Sequence, residues 1–142
     1  MTDVIVGAAL VRAGKLLAQQ RAWPERHAGQ WELPGGRVEP GESEEDALAR
    51  ECREELDVAV SVGGRVGADV PLGPAKVLRI YAAGLVSPGD EPRAVEHSAV
   101  RWLGLDDLDD LDWLPADRVL LPAVRTLLAG SFSSLSTAQD GL

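Results

Sequence analysis

The chain has 142 residues, and its 23 acidic against 14 basic side chains give a formal charge of −9. That length suits one compact domain, and 45% hydrophobic residues supply a core, which excludes a fully disordered chain. The acidic excess repels phosphate backbones and argues against nucleic-acid polymers as partners, yet it admits a small phosphorylated ligand bridged by divalent cations. The single cysteine, Cys52, cannot form an internal disulfide, and with His27 and His97 it makes no zinc-ligand spacing. The apolar run at 4–11 is too short to span a bilayer and carries no basic leader or cleavage site. The expected setting is a reducing cytoplasm, away from membranes.

The stretch 4–11, rich in Val, Ala and Ile, reads as a buried strand. After the turn Ala13-Gly14-Lys15, residues 15–20 return as the second strand of a hairpin. Pro24 and Gly29 mark 22–30 as a loop, and 31–33 reads as a short strand stopped by Pro34-Gly35-Gly36. A second turn signal follows at Glu39-Pro40-Gly41. Ser43 then opens the clearest element, a helix running to about Leu56. Ser43 is a good N-cap, Asp46 takes the acid position of a capping box, and Glu44, Glu45 and Asp46 load the first turn, where the dipole favours negative charge. Leu48, Cys52 and Leu56 form an apolar ridge for the core, and Asp57 is expected near the C-cap in a left-handed conformation.

Further strands are expected at 58–66, 76–86 and 99–103, with Pro71 and Pro74 in a loop and another loop at 87–93. A short acidic helix at 105–111 and a longer one at 117–128, broken by Pro122, complete the body. The serine-rich segment 131–142 is expected to be a flexible tail. Strands on both sides of a central helix, with a helix near the end, predict an α/β protein. The expected architecture is an α/β/α sandwich on a mixed central sheet, in one domain over 1–130.

Glu51, Glu54 and Glu55 stand at i, i+3 and i+4, so they project within about 100° of one helix face. Charge alone favours a solvated acidic stripe relieved by Arg50 and Arg53, because such repulsion costs only a few tenths of a kcal/mol per pair, roughly. Two features favour chemistry instead. The carboxylates flank the apolar ridge, and the Gly-Pro-rich loop before the helix can fold back over them. Clustered oxygens beside an enclosed loop suit Mg²⁺, with Mn²⁺ able to substitute, since these ions take few carboxylates and keep positions for water and phosphate. Such ions stabilise charge on a polyphosphate as a P–O bond breaks.

The stretch Gly36-Arg-Val-Glu-Pro-Gly-Glu42, followed by Arg50-Glu51-Cys52-Arg53-Glu54-Glu55-Leu56-Asp57-Val58, resembles the Nudix box. That pattern is Gly, five residues, Glu, seven residues, then Arg-Glu-apolar-x-Glu-Glu-x-Gly-apolar. Every charged position matches, at Glu42, Arg50, Glu51, Glu54 and Glu55. Asp57 departs from the final glycine, a turn position, which bears on backbone geometry rather than chemistry. The box covers 36–58, and the similarity runs over about 4–128. It is greatest to MutT-type nucleoside triphosphate pyrophosphohydrolases, especially actinobacterial members acting on CTP, dCTP and oxidised dGTP.

The resemblance implies metal ligation by Glu51, Glu54 and Glu55 with the main-chain carbonyl of Gly35. It implies that Arg50 holds these glutamates and that Glu42 supports the arrangement. Glu96, six residues before Trp102, becomes a further metal contact or the base that deprotonates water, against a solvated loop carboxylate. His97 beside it is the alternative base. Arg21, fourteen residues before Gly35, matches a phosphate-binding arginine, and Arg79, among apolar neighbours, is the second substrate contact. The segment 112–117 resembles the family's Pro-Ala-Asn base-reading corner with Asp117 in place of Asn. An acceptor-only carboxylate suits the exocyclic amine of cytosine, and an ordinary helix N-cap is the competing role for Asp117. Trp23, Trp31 and Trp113 are candidates to stack on a base, with core packing as their competing role.

The implied activity is metal-dependent hydrolysis of a small nucleotide, a nucleoside triphosphate, to the monophosphate and pyrophosphate. Its biological use would be sanitising the nucleotide pool or controlling pyrimidine triphosphates. Two alternatives stand beside it. One is hydrolysis of ADP-ribose or another nucleoside diphosphate derivative, for which Pro74, sixteen residues after Val58, is the sign. The other is a non-catalytic nucleotide sensor, against which stands the retention of every box glutamate.

Overall fold

The computed structural model describes residues 2–140. Eight strands stand among the described residues: β1 (Asp3–Arg12), β2 (Lys15–Gln20), β3 (Trp31–Glu32), β4 (Gly35–Arg37), β5 (Val60–Arg65), β6 (Val70–Gly73), β7 (Lys76–Leu85) and β8 (Ala99–Leu103). The helices are α1 (Glu44–Leu56), α2 (Pro115–Val119) and α3 (Leu121–Asp140). The sheet runs β3-β2-β1-β7-β5, with β4 added to β1, β6 to β7 and β8 to β2. β1 and β7 are parallel from Asp3↔Lys76 to Leu10↔Ala83, while the hairpin partners are antiparallel, so the sheet is mixed.

Strand alternation sends side chains into two cores. Val6, Ala8 and Leu10 of β1 join Leu17 and Tyr81 against Ala47, Leu48, Cys52 and Leu56 of α1. On the other face Ala9, Leu16, Ala18, Leu78 and Ile80 pack against Leu120, between α2 and α3, and Leu121, Val124 and Leu128 of α3. This is the α/β/α sandwich that the sequence predicts. Among the described residues no helix is long and apolar enough to cross a membrane.

The expected N-cap and C-cap of α1 are observed, without the return bond from the Ser43 N–H to the Asp46 carboxylate that a capping box would add. Ser43 Oγ accepts from the Asp46 N–H at 3.0 Å, and Asp57 closes the helix at φ 57°, with its own N–H on the Arg53 carbonyl at 3.1 Å. Cys52 lies fully buried on the ridge, and burial pushes its thiol up to about 12, so it packs as a small hydrophobe.

Elsewhere the structure differs from the expectation. Gly35 and Gly36 are strand residues of β4, paired with Gly7 and Val6, and do not stop a strand as a turn would. A Cβ on Gly35 would lie 1.9 Å from the Val6 carbonyl oxygen, so glycine serves close approach here. Pro71 lies within β6, an outer strand whose register with β7 is irregular and which tolerates the missing donor. The acidic helix expected at 105–111 is a 3-10 helix, Leu105–Asp110. The longer helix begins earlier, with Pro115 at the first helical position, and breaks ahead of Pro122. Pro122 falls in the first turn of α3, where no donor is required. The backbone of 131–140 continues α3 past the helix end expected at 128, because a helix nucleated by the packed Leu121–Leu128 turns propagates cheaply. Residues 141–142 lie outside the described residues.

Ser43→Ala removes the side-chain acceptor for one orphan N–H at the start of α1. It should lower the unfolding free energy by about 1 kcal/mol in urea denaturation, with an unchanged slope.

Candidate active site

Burying Leu48, Cys52 and Leu56 dictates where their neighbours on α1 emerge. Glu51 and Glu55 come out beside β4, and Glu54 stands one step further toward solvent. Gly36 makes the meeting possible, since a Cβ there would sit 2.4 Å from the Glu51 carboxyl carbon. Glu55 is largely enclosed. Its Oε1 accepts from the Gly35 N–H at 3.2 Å, and its Oε2 accepts from Nε2 of Gln19. Burial, with help from the nearby charges of Glu51 and Glu32, pushes the Glu55 carboxyl up to about 8, against the opposing donors Gln19 and Gly35.

Arg50 ties this acidic face together. Its Nε and Nη2 grip both oxygens of Glu42 at 2.8 and 3.0 Å, and Nη1 reaches Glu51 at 3.0 Å and Glu54 at 3.3 Å. Nη2 also donates to the Arg37 carbonyl at 2.9 Å. The bidentate bond from Arg50 holds the Glu42 carboxyl down to about 2, with the Glu39 N–H contributing. Glu42 therefore stays ionised and fixes the guanidinium that orients the other two carboxylates.

Gly35, Gly36, Glu51, Glu54 and Glu55 line a cleft of about 500 Å³ together with Arg21, Glu32, Glu96 and His97. Glu32 was not singled out from sequence. It sits opposite Gln19 in the β2–β3 pair and accepts from Arg21 Nη1 at 3.1 Å at each oxygen. His97 Nε2 lies 2.9 Å from Glu32 Oε2, and His97 Nδ1 lies 3.9 Å from Glu55 Oε2. The one available signal was a charged residue between Trp31 and Leu33. Gln19 was missed for a similar reason, being one polar residue at the end of a strand pattern.

The structure brings Gly35, Glu51, Glu54, Glu55, Glu96 and Arg21 together on the cleft, with Arg50 and Glu42 behind them. It does not bring Arg79 or Asp117 there. On β7 the alternation that turns Leu78 and Ile80 toward α2 and α3 turns Arg79 toward α1. Arg79 pairs with Asp69 at 2.7 Å and Glu44 at 2.8 Å, and the Tyr81 hydroxyl donates to the same Glu44 at 2.6 Å. Arg79 thus tethers the first turn of α1 to the sheet.

Asp117 is the third residue of α2 and not its N-cap, and its buried Oδ2 accepts from the Leu33 N–H at 2.9 Å. Burial pushes its carboxyl up to about 7. Trp113 is buried, with Nε1 donating to the Leu108 carbonyl at 2.6 Å, and Trp31 is bridged to it through the backbone. Trp23 is different. It is 65% exposed and stands beside Arg21, Glu96 and His97 at the outer lip of the cleft.

The chain matches the family model described as NUDIX domain over residues 1–124. It is 44% identical over 134 residues, 92% of this chain and 94% of the relative, to a Mycobacterium tuberculosis protein named "Putative 8-oxo-dGTP diphosphatase 2". It is 35% identical over 125 residues, 88% of this chain and 93% of the relative, to the Escherichia coli protein named CTP pyrophosphohydrolase. The crystal structure of the MutT NUDIX hydrolase from Burkholderia pseudomallei superposes with a TM-score of 0.74 at 37% identity, covering 87% of this chain and 98% of that one. The chain belongs to the Nudix family and is a hydrolase of that family.

The enclosed Asp117 gives a pH test. Its folded-state pKa is raised, so the stability it contributes is complete below about pH 4 and is lost as pH rises through about 7. Asn at this position still offers the Leu33 N–H an acceptor but does not titrate. Wild-type unfolding free energy, measured relative to Asp117→Asn, should therefore fall by up to about 4 kcal/mol between those pH values.

Proposed function

We propose that this chain hydrolyses a nucleoside triphosphate to the monophosphate and pyrophosphate, with CTP, dCTP or oxidised dGTP as its substrate class. The observation that carries the reading is the cleft itself. Four carboxylates, Glu51, Glu54, Glu55 and Glu96, line with Arg21 one cleft of about 500 Å³, room for a triphosphate bridged by cations. The names borne by the mycobacterial and E. coli relatives support the choice of substrate class.

The residues present fit a hard divalent cation, Mg²⁺ with Mn²⁺ able to replace it. The donors offered are predominantly oxygen, from the carboxylates of Glu51, Glu54, Glu55 and Glu96 and the Gly35 carbonyl, with His97 the one ring nitrogen beside them among the described residues. The raised pKa of Glu55 marks an enclosed carboxylate short of neighbouring positive charge. Among the described residues no three acidic, His or Cys side chains already converge at ligating positions. The Glu54 side chain is 57% exposed and held only from one side by Arg50, so a rotamer change brings it inward. When bound, the cation neutralises phosphate oxygens and the charge that develops on the leaving group.

This chain's own residues do the rest. Arg21, fixed by Glu32, contacts the phosphates, and Arg50 with Glu42 keeps Glu51 and Glu54 aligned. Nε2 of His97 is already committed to Glu32, and no ion pair of Glu96 appears among the described residues. Glu96 therefore accepts the proton of the attacking water. Trp23 at the lip offers its ring face to the base. The buried, undisulfided Cys52 fits a reducing cytoplasm.

Pyrophosphate release with Mg²⁺ across CTP, dCTP, 8-oxo-dGTP and dGTP tests the reading when set against monophosphate release from ADP-ribose. Ranking by kcat/KM should give a triphosphate in the lead, and a lead for ADP-ribose would overturn the assignment. Glu54→Gln should keep the fold and lower kcat by about a hundredfold or more, as read in the same assay.

A further inference from the structure

Strand β2 carries a side chain that its core does not need. Gln19 has no exposed surface, although Leu17, on the same face, packs among Val6, Ala8, Leu48 and Leu56. A buried amide is costly unless its hydrogen bonds are made, and an apolar side chain would fill the same space without that cost. The Nε2 of Gln19 donates to Glu55 Oε2, while its Oε1 is buried with no partner among the described residues. The amide is thus half satisfied, and the satisfied half points at one carboxylate of the cleft.

That carboxylate is held from two strands at once, by Gln19 on β2 and by the Gly35 N–H on β4 at 3.2 Å. His97 Nδ1, also buried and without a hydrogen-bond partner among the described residues, stands 3.9 Å from the same oxygen of Glu55. Glu55 leaves α1 at a position where nothing on its own helix fixes it, because Arg50 reaches Glu51 and Glu54 but makes no bond to Glu55. Without Gln19 the side chain would keep one anchor, the Gly35 N–H, and could turn about its terminal torsion.

We propose that Gln19 is a positioning residue for cation binding. Its amide presets the Glu55 carboxylate toward the cleft, so that the ordering cost of this ligand is met before the cation arrives. The proposal rests on the metal-dependent reading of the cleft given above. Gln19 does not line the cleft, so its influence passes through Glu55 alone and leaves the phosphate contacts of Arg21 in place.

Gln19→Met keeps the length of the side chain and removes the donor. Mn²⁺ binding without nucleotide, followed by electron paramagnetic resonance titration, should weaken by about tenfold relative to wild type. In turnover, the Mn²⁺ concentration for half-maximal activity should rise by the same factor. The KM for CTP at saturating Mn²⁺ should stay within about twofold, and the metal-free melting midpoint should equal or exceed that of wild type. Wild-type Mn²⁺ affinity in a folded Gln19→Met variant would overturn the role. So would a metal-free midpoint more than about 10 °C below wild type, because the amide would then serve the core. Failure of the wild type itself to bind Mn²⁺ would overturn the metal reading, and the role of Gln19 with it.

Discussion

The arrangement depends on how closely β4 lies against β1 on one side and α1 on the other. A Cβ at Gly35 would collide with the backbone of Val6 and Gly7, and Gly36 leaves the space that the Glu51 carboxylate occupies. A side chain at either position would separate the helix from the strand. The Gly35 N–H could then no longer reach Glu55, and Glu51 would be displaced toward Arg50. Close backbone approach is thus the constraint that lets an acidic helix face meet main-chain donors, and the electrostatics of the cleft are built on it.

Holding like charges together is the second requirement, and the fold meets it with cations set behind the carboxylates and outside the cleft. Arg50 neutralises the outer pair, and Glu42 in turn fixes Arg50. At the start of α1, Arg79 and Tyr81 of β7 grip Glu44, so the first turn of the helix is pinned to the sheet by charge and its length by the Leu48–Cys52–Leu56 ridge. The enclosed Glu55 is the exception. It receives neutral donors and no cation at bonding distance among the described residues, so burial governs its proton affinity.

Local chemistry was readable from the chain. The cap at Ser43, the left-handed Asp57, the buried ridge and the shared face of Glu51, Glu54 and Glu55 follow from spacing within one helix, where each residue's neighbours are known in advance. Positions defined by long-range pairing were not readable. β4 was hidden because two glycines read as a turn, whereas their pairing with Val6 and Gly7 depends on β1 being nearby. Arg79 and Asp117 carried plausible side-chain chemistry, but strand alternation sends the first to Glu44 and burial gives the second to Leu33. Glu32 and Gln19 were invisible for the converse reason. Each is a polar residue whose meaning comes from partners distant in the chain, Arg21 and His97 for Glu32 and Glu55 for Gln19.

The parallel pairing of β1 with β7 carries a consequence for how the chain reaches this state. Partners such as Val4 and Val77 are more than 70 residues apart, and the box helix lies in the chain between them. The hairpin with β2 engages β1 only near Val11 and Arg12, so most of the apolar strand waits for β4 and β7. During synthesis β1 leaves the ribosome early and stays without its central partner until Leu85 has emerged. Loop closure of that span is the entropic toll on folding, which makes acquisition of the central sheet late and cooperative. Until then Val4–Leu10 is an unprotected β edge, and this is where self-association of nascent or refolding chains should begin.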